Sequence, residues 1–288
     1  MSKAQKEKMM AEFRSFTNAI PADASRICKK AGYRLDMAIE LFYNDSLAQI
    51  NAERSMHSRT KALSEGMETI LNAQFNEYQD SEDPTRMEMV GLLGYLGSLN
   101  LTPEDPKVLC LCHLLHAPRL GLLERSAFVK QWTSLLLSHN QTPSSSIQST
   151  RDMVRFQTKA INDLDSRLKS ELSYFQEVYR FIFDFGRDEG QKSLALDTAI
   201  AFWEMVLPLT PCLDWSIFKP QYLQWWTELL RSRNKSVSRD TWNLFLDFII
   251  QVEDRFENYD EGGAWPSLID DYVAASKEKL QAEVMEEC

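Results

Sequence analysis

The segment CLCHLLH (110–116) gathers two thiols and two imidazoles within seven residues, the donor types that hold zinc. Zinc ligands must converge on one point, whereas residues two apart on a helix project about 200° from each other. Only Cys112 and His116 share a helical face, and small free cysteines are commonly buried in apolar helices. The segment therefore reads as core. DFGRDEGQKSLAL (184–196) has the rhythm of a calcium loop, but no register puts carboxylates at positions 1, 3 and 5 with a glutamate at 12. Its DFG lacks the glycine-rich loop and HRD sequence that would accompany a kinase metal motif. Nucleophile-elbow, zincin and phosphate-loop patterns are missing, and four histidines (His57, His113, His116, His139) leave little material for a general base. The residues point to no catalytic group, no metal and no cofactor.

What remains is charge. Residues 240–288 hold 13 acidic and 3 basic residues, a balance of −10 that equals the net charge of the whole chain. Such a surface repels phosphate backbones and draws basic protein patches, so nucleic acid is a poor partner for it and none is expected. SRDTWNLFLDFII (238–250) opens with Ser238 as N-cap and puts Asp240 in a first helical turn, where the helix dipole favours an acid by roughly 0.3–1 kcal/mol. NYDEGGAWPSLIDDYV (258–273) then sets an indole among carboxylates. Gly262 and Gly263 break the chain, Trp265 anchors the turn and Pro266 starts a helix whose apolar stripe is Leu268, Ile269, Tyr272 and Val273. Asp270 and Asp271 both fall off that stripe and are expected to face solvent. Ala264 is small enough to let another molecule approach. A rigid turn displays carboxylates in fixed geometry; a merely solvated acidic face is the other reading of these residues.

The elements that must carry these residues are helical. The 288 residues are 44% hydrophobic, with only 10 glycines and 10 prolines, enough for one large or two modest domains with a sizeable core. Residues 1–45 read as a three-helix unit: Met10, Phe13 and Phe16 at helical spacing, a second helix opened by Pro21, and a third with Leu35, Ala38, Ile39 and Phe42 at i, i+3, i+4 and i+7. Gly32–Tyr33 makes a tight turn between the last two, with an exposed aromatic ring. Residues 46–66 show no stripe and read as a linker. A larger helical domain spans 67–275, with helix starts near Gly66, Pro84, Pro103, Glu124, Ser149, Ser170, Leu194, Pro220, Ser238 and Pro266. Residues 276–288 read as an acidic tail, and HNQTPSSSIQST (139–150) as a polar surface loop. No apolar run approaches the roughly 18 residues of a membrane span, and the charged N-terminus is unlike a secretory signal. Five cysteines (Cys28, Cys110, Cys112, Cys212, Cys288) without CxxC spacing suit a reducing, intracellular setting.

FGRDEGQKSLALDTAIAFWEMVL (185–207), SRDTWNLFLDF (238–248) and YDEGGAWPSLIDDYV (259–273) resemble the defective-in-cullin-neddylation family. FTNAIPADASRICKKAGYRLDMAIELFYND resembles its N-terminal ubiquitin-associated (UBA) domain, and the rest its potentiating-neddylation (PONY) domain. The resemblance implies an all-α fold with EF-hand-like helix pairs that bind no calcium, acting as a non-catalytic ligase scaffold in cytoplasm and nucleus. It further implies that Asp240, Ala264 and Asp270 contact the basic C-terminal domain of a cullin. A hydrophobic pocket for the acetylated N-terminal methionine of the modifier's conjugating enzyme is implied at Leu92, Val108, Leu111, Cys112, Leu115, Leu123, Phe185, Leu194, Ala201, Phe202 and Met205. Leu115 and Leu123 stand where the family commonly has aromatics, and Gly121 is unusual, so the pocket's shape is expected to differ. Gly32 and Tyr33 are retained without the preceding methionine, implying weak ubiquitin binding. The alternative function is a ubiquitin-binding adaptor working through residues 1–45 alone.

Overall fold

A computed structural model describes residues 1–138, 147–211, 213–260 and 262–286. The loop expected at 139–150 therefore falls largely outside the described residues, as do Cys212 and Cys288. The chain divides into two compact units, one of residues 1–69 with 133–146 and the other of residues 70–132 with 147–288.

In the first unit, α1 (Lys3–Thr17) is opened by Ser2 and Gln5, each accepting the other's backbone N–H, and closed by Asn18 at φ 54°. Helices α2 (Pro21–Lys30) and α3 (Leu35–Tyr43) complete a bundle around Met9, Phe13, Ile27, Cys28, Ala38 and Phe42. The stripe of α1 thus runs through Met9, Phe13 and Thr17, leaving Met10 half-buried and Phe16 exposed rather than inside. Residues 46–66, read as a linker, are helical: α4 spans Ser46–Asn76 without a break at Gly66. Its first turns carry Ala48 and Ala52 into the core of this unit. Asp23 is buried there, accepting hydrogen bonds from Arg26 (2.8 Å) and Asn51 (3.0 Å).

The second unit is built from helix–loop–helix pairs. The loop between α4 and α5 (Met89–Ser98) carries β1 (Arg86–Met87), and the loop between α6 (Lys107–Leu114) and α7 (Arg125–Ser138) carries β2 (Leu123–Glu124). These strands pair antiparallel, Arg86 with Glu124 and Met87 with Leu123. Arg125 ties the two loops further by donating Nε–H to the carbonyl of Pro84 at 2.9 Å. Helices α8 (Thr150–Leu168) and α9 (Leu172–Gly186) lead to a second pair of loops. The loop between α9 and α10 (Leu196–Val206) meets the one between α11 (Pro220–Arg233) and α12 (Arg239–Gln251) through a single bridge, Leu194 with Val237. This repeated architecture is the EF-hand-like pairing that the resemblance implied. Among the described residues, no three His, Cys, Asp or Glu side chains gather closely enough to hold a metal ion. No described helix is long and apolar enough to cross a membrane.

Stacked aromatic rings fill the C-terminal half. Trp203 lies over Trp242 at 4.8 Å, Trp242 over Tyr179 at 4.6 Å, and Trp226 over Phe245 at 4.0 Å. Three of them are joined by hydrogen bonds: Tyr179 Oη donates to the Trp242 carbonyl (2.8 Å) and accepts from Trp203 Nε1 (2.7 Å), and Trp242 Nε1 donates to the Tyr179 carbonyl (2.9 Å). The last helix, α13, spans Ser267–Glu286. The segment read as an acidic tail continues this helix, with Ser276 and Leu280 buried.

Candidate functional site

Ser238 caps α12 as the sequence indicates, its Oγ accepting the Thr241 N–H at 3.0 Å. Below the cap, Trp242, Phe245, Phe248, Ile249 and Val252 are all buried. The helix is thereby pinned by one face and Asp240 is left exposed in its first turn. The neighbouring Arg239 turns away to pair with Asp184. That guanidinium holds the Asp184 carboxyl below the usual aspartate range.

At the other end of α12, Phe248 meets Tyr259 and Trp265 edge-on, each at 5.8 Å, and Tyr259 stacks beside Trp265 at 6.3 Å. The indole is half-buried and does anchor the turn. A side chain at Gly263 would stand 3.0 Å from that indole and from the Asp260 carbonyl, a tighter fit than at Gly262, where the nearest atom is an Asp260 carboxylate oxygen at 3.2 Å. Ala264 is exposed beside it. The two adjacent aspartates then separate. Asp271 is exposed and paired with Arg233 at 2.6 Å. Asp270 is half-buried, not wholly solvent-facing, and accepts a hydrogen bond from Tyr259 Oη. The reason is the turn itself, which folds Tyr259 back over the first turn of α13. Ala264 and Asp270 thus belong to one aromatic-backed corner. Asp240 lies two helical turns before Phe248, about 12 Å along the α12 axis.

Of the eleven apolar residues assigned to a peptide pocket, nine are buried: Leu92, Val108, Leu111, Cys112, Leu115, Leu123, Phe185, Leu194 and Phe202. Met205 is half-buried and Ala201 exposed on α10. The rings of Phe185 and Phe202 lie 6.3 Å apart, and Leu194 and Phe202 press on Gly186. The backbone N–H of Leu120 bonds the Phe185 carbonyl at 3.1 Å, joining the 118–122 loop to the end of α9. Gly121 has φ +78°, and a side chain there would collide with Met89. Exposed apolar residues that sequence reasoning missed flank this set: Met89, Val90 and Leu93 on α5, and Leu120 on the loop. The signal was present in MVGLLGYLGS, which carries more apolar residues than the one face holding Leu92, Tyr95 and Leu96 can bury.

The thiols and imidazoles of CLCHLLH do not form a centre. Helix α6 ends at Leu114 and His116 lies beyond it at φ 51°, so Cys112 and His116 share no helical face. His113 packs edge-on against Tyr174 and Phe181, and its pKa is lowered by burial. Cys110 and Cys112 are buried, and burial raises each thiol to about 12. In the first unit, Gly32 and Tyr33 both take left-handed backbone, at φ 61° and 59°. Tyr33 is half-buried under Lys6, whose ammonium stands 4.7 Å over the ring, rather than exposed as expected.

Residues 156–275, which hold α12, the turn and the start of α13, match the Cullin binding family. The fold and this match define the class, an all-helical protein with paired helix–loop–helix units and a Cullin binding domain. Over most of its length the chain is similar to Defective in cullin neddylation protein 1 of Mycosarcoma maydis, at 32% identity over 98% of this chain and 97% of the relative. The corresponding Candida albicans protein is 28% identical over 94% and 97%. DCN1-like protein 5 of Mus musculus is 31% identical over 89% and 94%. The chain belongs to the defective in cullin neddylation family.

Proposed function

We propose that the protein promotes cullin neddylation as a scaffold, holding a cullin C-terminal domain on its acidic C-terminal face and a charged conjugating enzyme on its apolar one. The observation that carries the reading is the exposed pair Asp240 and Ala264, with Asp270 braced by Tyr259, inside the segment that matches the Cullin binding family. No side chain of this protein takes part in bond-making in this account. Holding a thioester and an acceptor lysine within reach lowers a barrier by several kcal/mol through proximity alone.

The conjugating enzyme would offer an acetylated N-terminal methionine to the surface around Phe202 and Met205. Acetylation matters because burying a free ammonium costs several kcal/mol. Phe185, Leu194 and Phe202 close around Gly186, so the peptide would enter by displacing Phe202, with the exposed Met89, Val90, Leu93 and Leu120 offering apolar surface beside it. The N-terminal unit would serve as a UBA-like module, meeting ubiquitin weakly at the Gly32–Tyr33 turn, and the protein would work in cytoplasm and nucleus. A second reading, a ubiquitin adaptor without ligation activity, draws on Phe16, Tyr43 and Leu47, which are 61–65% exposed.

Reconstituted transfer of the modifier to a cullin tests both readings. Deleting residues 1–45 should leave most of the stimulation, whereas an adaptor would lose its function. Ala201→Arg should abolish stimulation and the preference for acetylated over free-amine peptide, while the fold survives because Ala201 is exposed. Equal affinity of the wild type for the two peptides would contradict the pocket.

A further inference from the structure

A cavity of about 220 Å³ opens between the end of α12 and the turn that follows it. Phe248, Val252, Tyr259 and Trp265 wall it, and Asn258 and Asp260 stand at its rim. Its parts are fixed. Phe248 and Val252 are buried, and the Phe248, Tyr259 and Trp265 rings brace one another. Asn258 bonds the Gln251 carbonyl at 2.7 Å and accepts the Glu253 N–H at 2.9 Å. Asp260 Oδ1 accepts the Gly262 N–H at 2.9 Å, and its carbonyl accepts the Gly263 N–H at 3.0 Å, so an exposed carboxylate is held at the mouth.

From this geometry we infer that the cavity receives a long cationic side chain, lysine or arginine, of the cullin, as a contact distinct from Asp240, Ala264 and Asp270. The inference rests on the cullin-binding reading above. Three observations select a cation. The aromatic faces attract positive charge while the apolar walls suit an aliphatic stem. The carboxylate at the rim would be left without a counter-charge by an apolar occupant, and would repel an anion. The Tyr259 ring already draws a cation from within the chain, with the Lys277 ammonium 6.0 Å from its centre. The cavity is also continuous with the acidic corner, since Tyr259 forms its wall and donates to Asp270, and Ala264 lies on the same turn.

The test is calorimetric affinity of the full-length protein for a cullin C-terminal domain whose surface lysines and arginines are replaced singly by alanine. Asp260→Asn keeps the acceptor for Gly262 and removes only the charge, so folding is preserved; Asp240→Lys serves as the control on the reading itself. Asp260→Asn should weaken binding about tenfold, the size of one charge-assisted contact. One cullin cation should cost more than tenfold against the wild type and about tenfold less against Asp260→Asn, the remainder being its contacts with the rings and the apolar walls. If Asp240→Lys loses affinity while Asp260→Asn binds as the wild type and no cullin cation couples to it, the cavity is not a contact and the cullin-binding face stands. If neither variant loses affinity, the face itself falls and the cavity with it.

Discussion

Cys110 and Cys112 sit two residues apart in α6, and burial raises both thiols to about 12. At pH 8 neither should be a thiolate, and the thiolate is the reactive form. Both should therefore resist alkylation by iodoacetamide in the folded protein and react on unfolding; mass spectrometry of the tryptic peptide checks this. Asp23 makes the opposite case, a buried carboxylate held charged. Hydrogen bonds from Arg26 and Asn51 hold its pKa below the usual aspartate range. A lowered folded value contributes stability above the unfolded pKa, near 3.9, and loses it as pH falls through the folded value. Asp23→Ala should destabilise the N-terminal unit by about 1–3 kcal/mol at neutral pH, because it strands the half-buried Asn51 amide and leaves Arg26 with Asp45 alone. Hydrogen exchange in α1–α3 should show that loss, and the difference from wild type should shrink below pH 4. Only the thiols' role was legible from the sequence. The partner of Asp23, Asn51, lies in a segment without a stripe, so nothing in the sequence marked Asp23 as buried, while the thiols read correctly as core because a two-residue spacing forbids convergence.

Gly186 ends α9 with Phe202 and Leu194 against it. Replacing a helical glycine by alanine ordinarily stabilises by up to about 1 kcal/mol. Here the new Cβ would lie 2.4 Å from a Phe202 ring carbon, so the sign reverses. Gly186→Ala should cost about 1–3 kcal/mol of overpacking, read as a lower urea midpoint with unchanged slope. Elements with one dry face were legible: the apolar spacing of α12 and the Ser238 cap appear in the structure as read, and in α13 Ile269, Tyr272 and Val273 are buried while Leu268 is half-buried. Prolines misled where side chains compete for the backbone. Pro84 sits in a turn tied by Asp80 and Asp83 to backbone N–H groups, and Pro103 precedes one capped by Asp105, so the helices begin at Met89 and Lys107. Two-residue strands and the single Leu194–Val237 bridge leave no periodicity to find. The long polar helix α4 was missed because it shows no stripe.

At the scale of the molecule, charge decides what the C-terminal face can meet. The acidic excess lies wholly in residues 240–288, yet part of it is spent internally, Asp271 on Arg233 and Asp254 on Lys219. Asp240 and Ala264 are exposed, and this distinguishes a face available to a partner from one that serves the fold. Sequence charge showed the excess but not which of Asp270 and Asp271 is available; the resemblance pointed to Asp270, and the structure pairs Asp271 with Arg233 while Asp270 accepts from Tyr259. Binding through such a face should weaken steeply between low and physiological salt, where the screening length falls to about 8 Å. The most direct test is the affinity of Asp240→Lys/Ala264→Arg for a cullin C-terminal domain, with thermal melting alongside. Both sites are exposed, so melting should match the wild type. Affinity should fall about a hundredfold, two contacts at roughly tenfold each, and its salt dependence should flatten. A folded double variant that binds cullin as the wild type does, with the same salt dependence, would contradict the account.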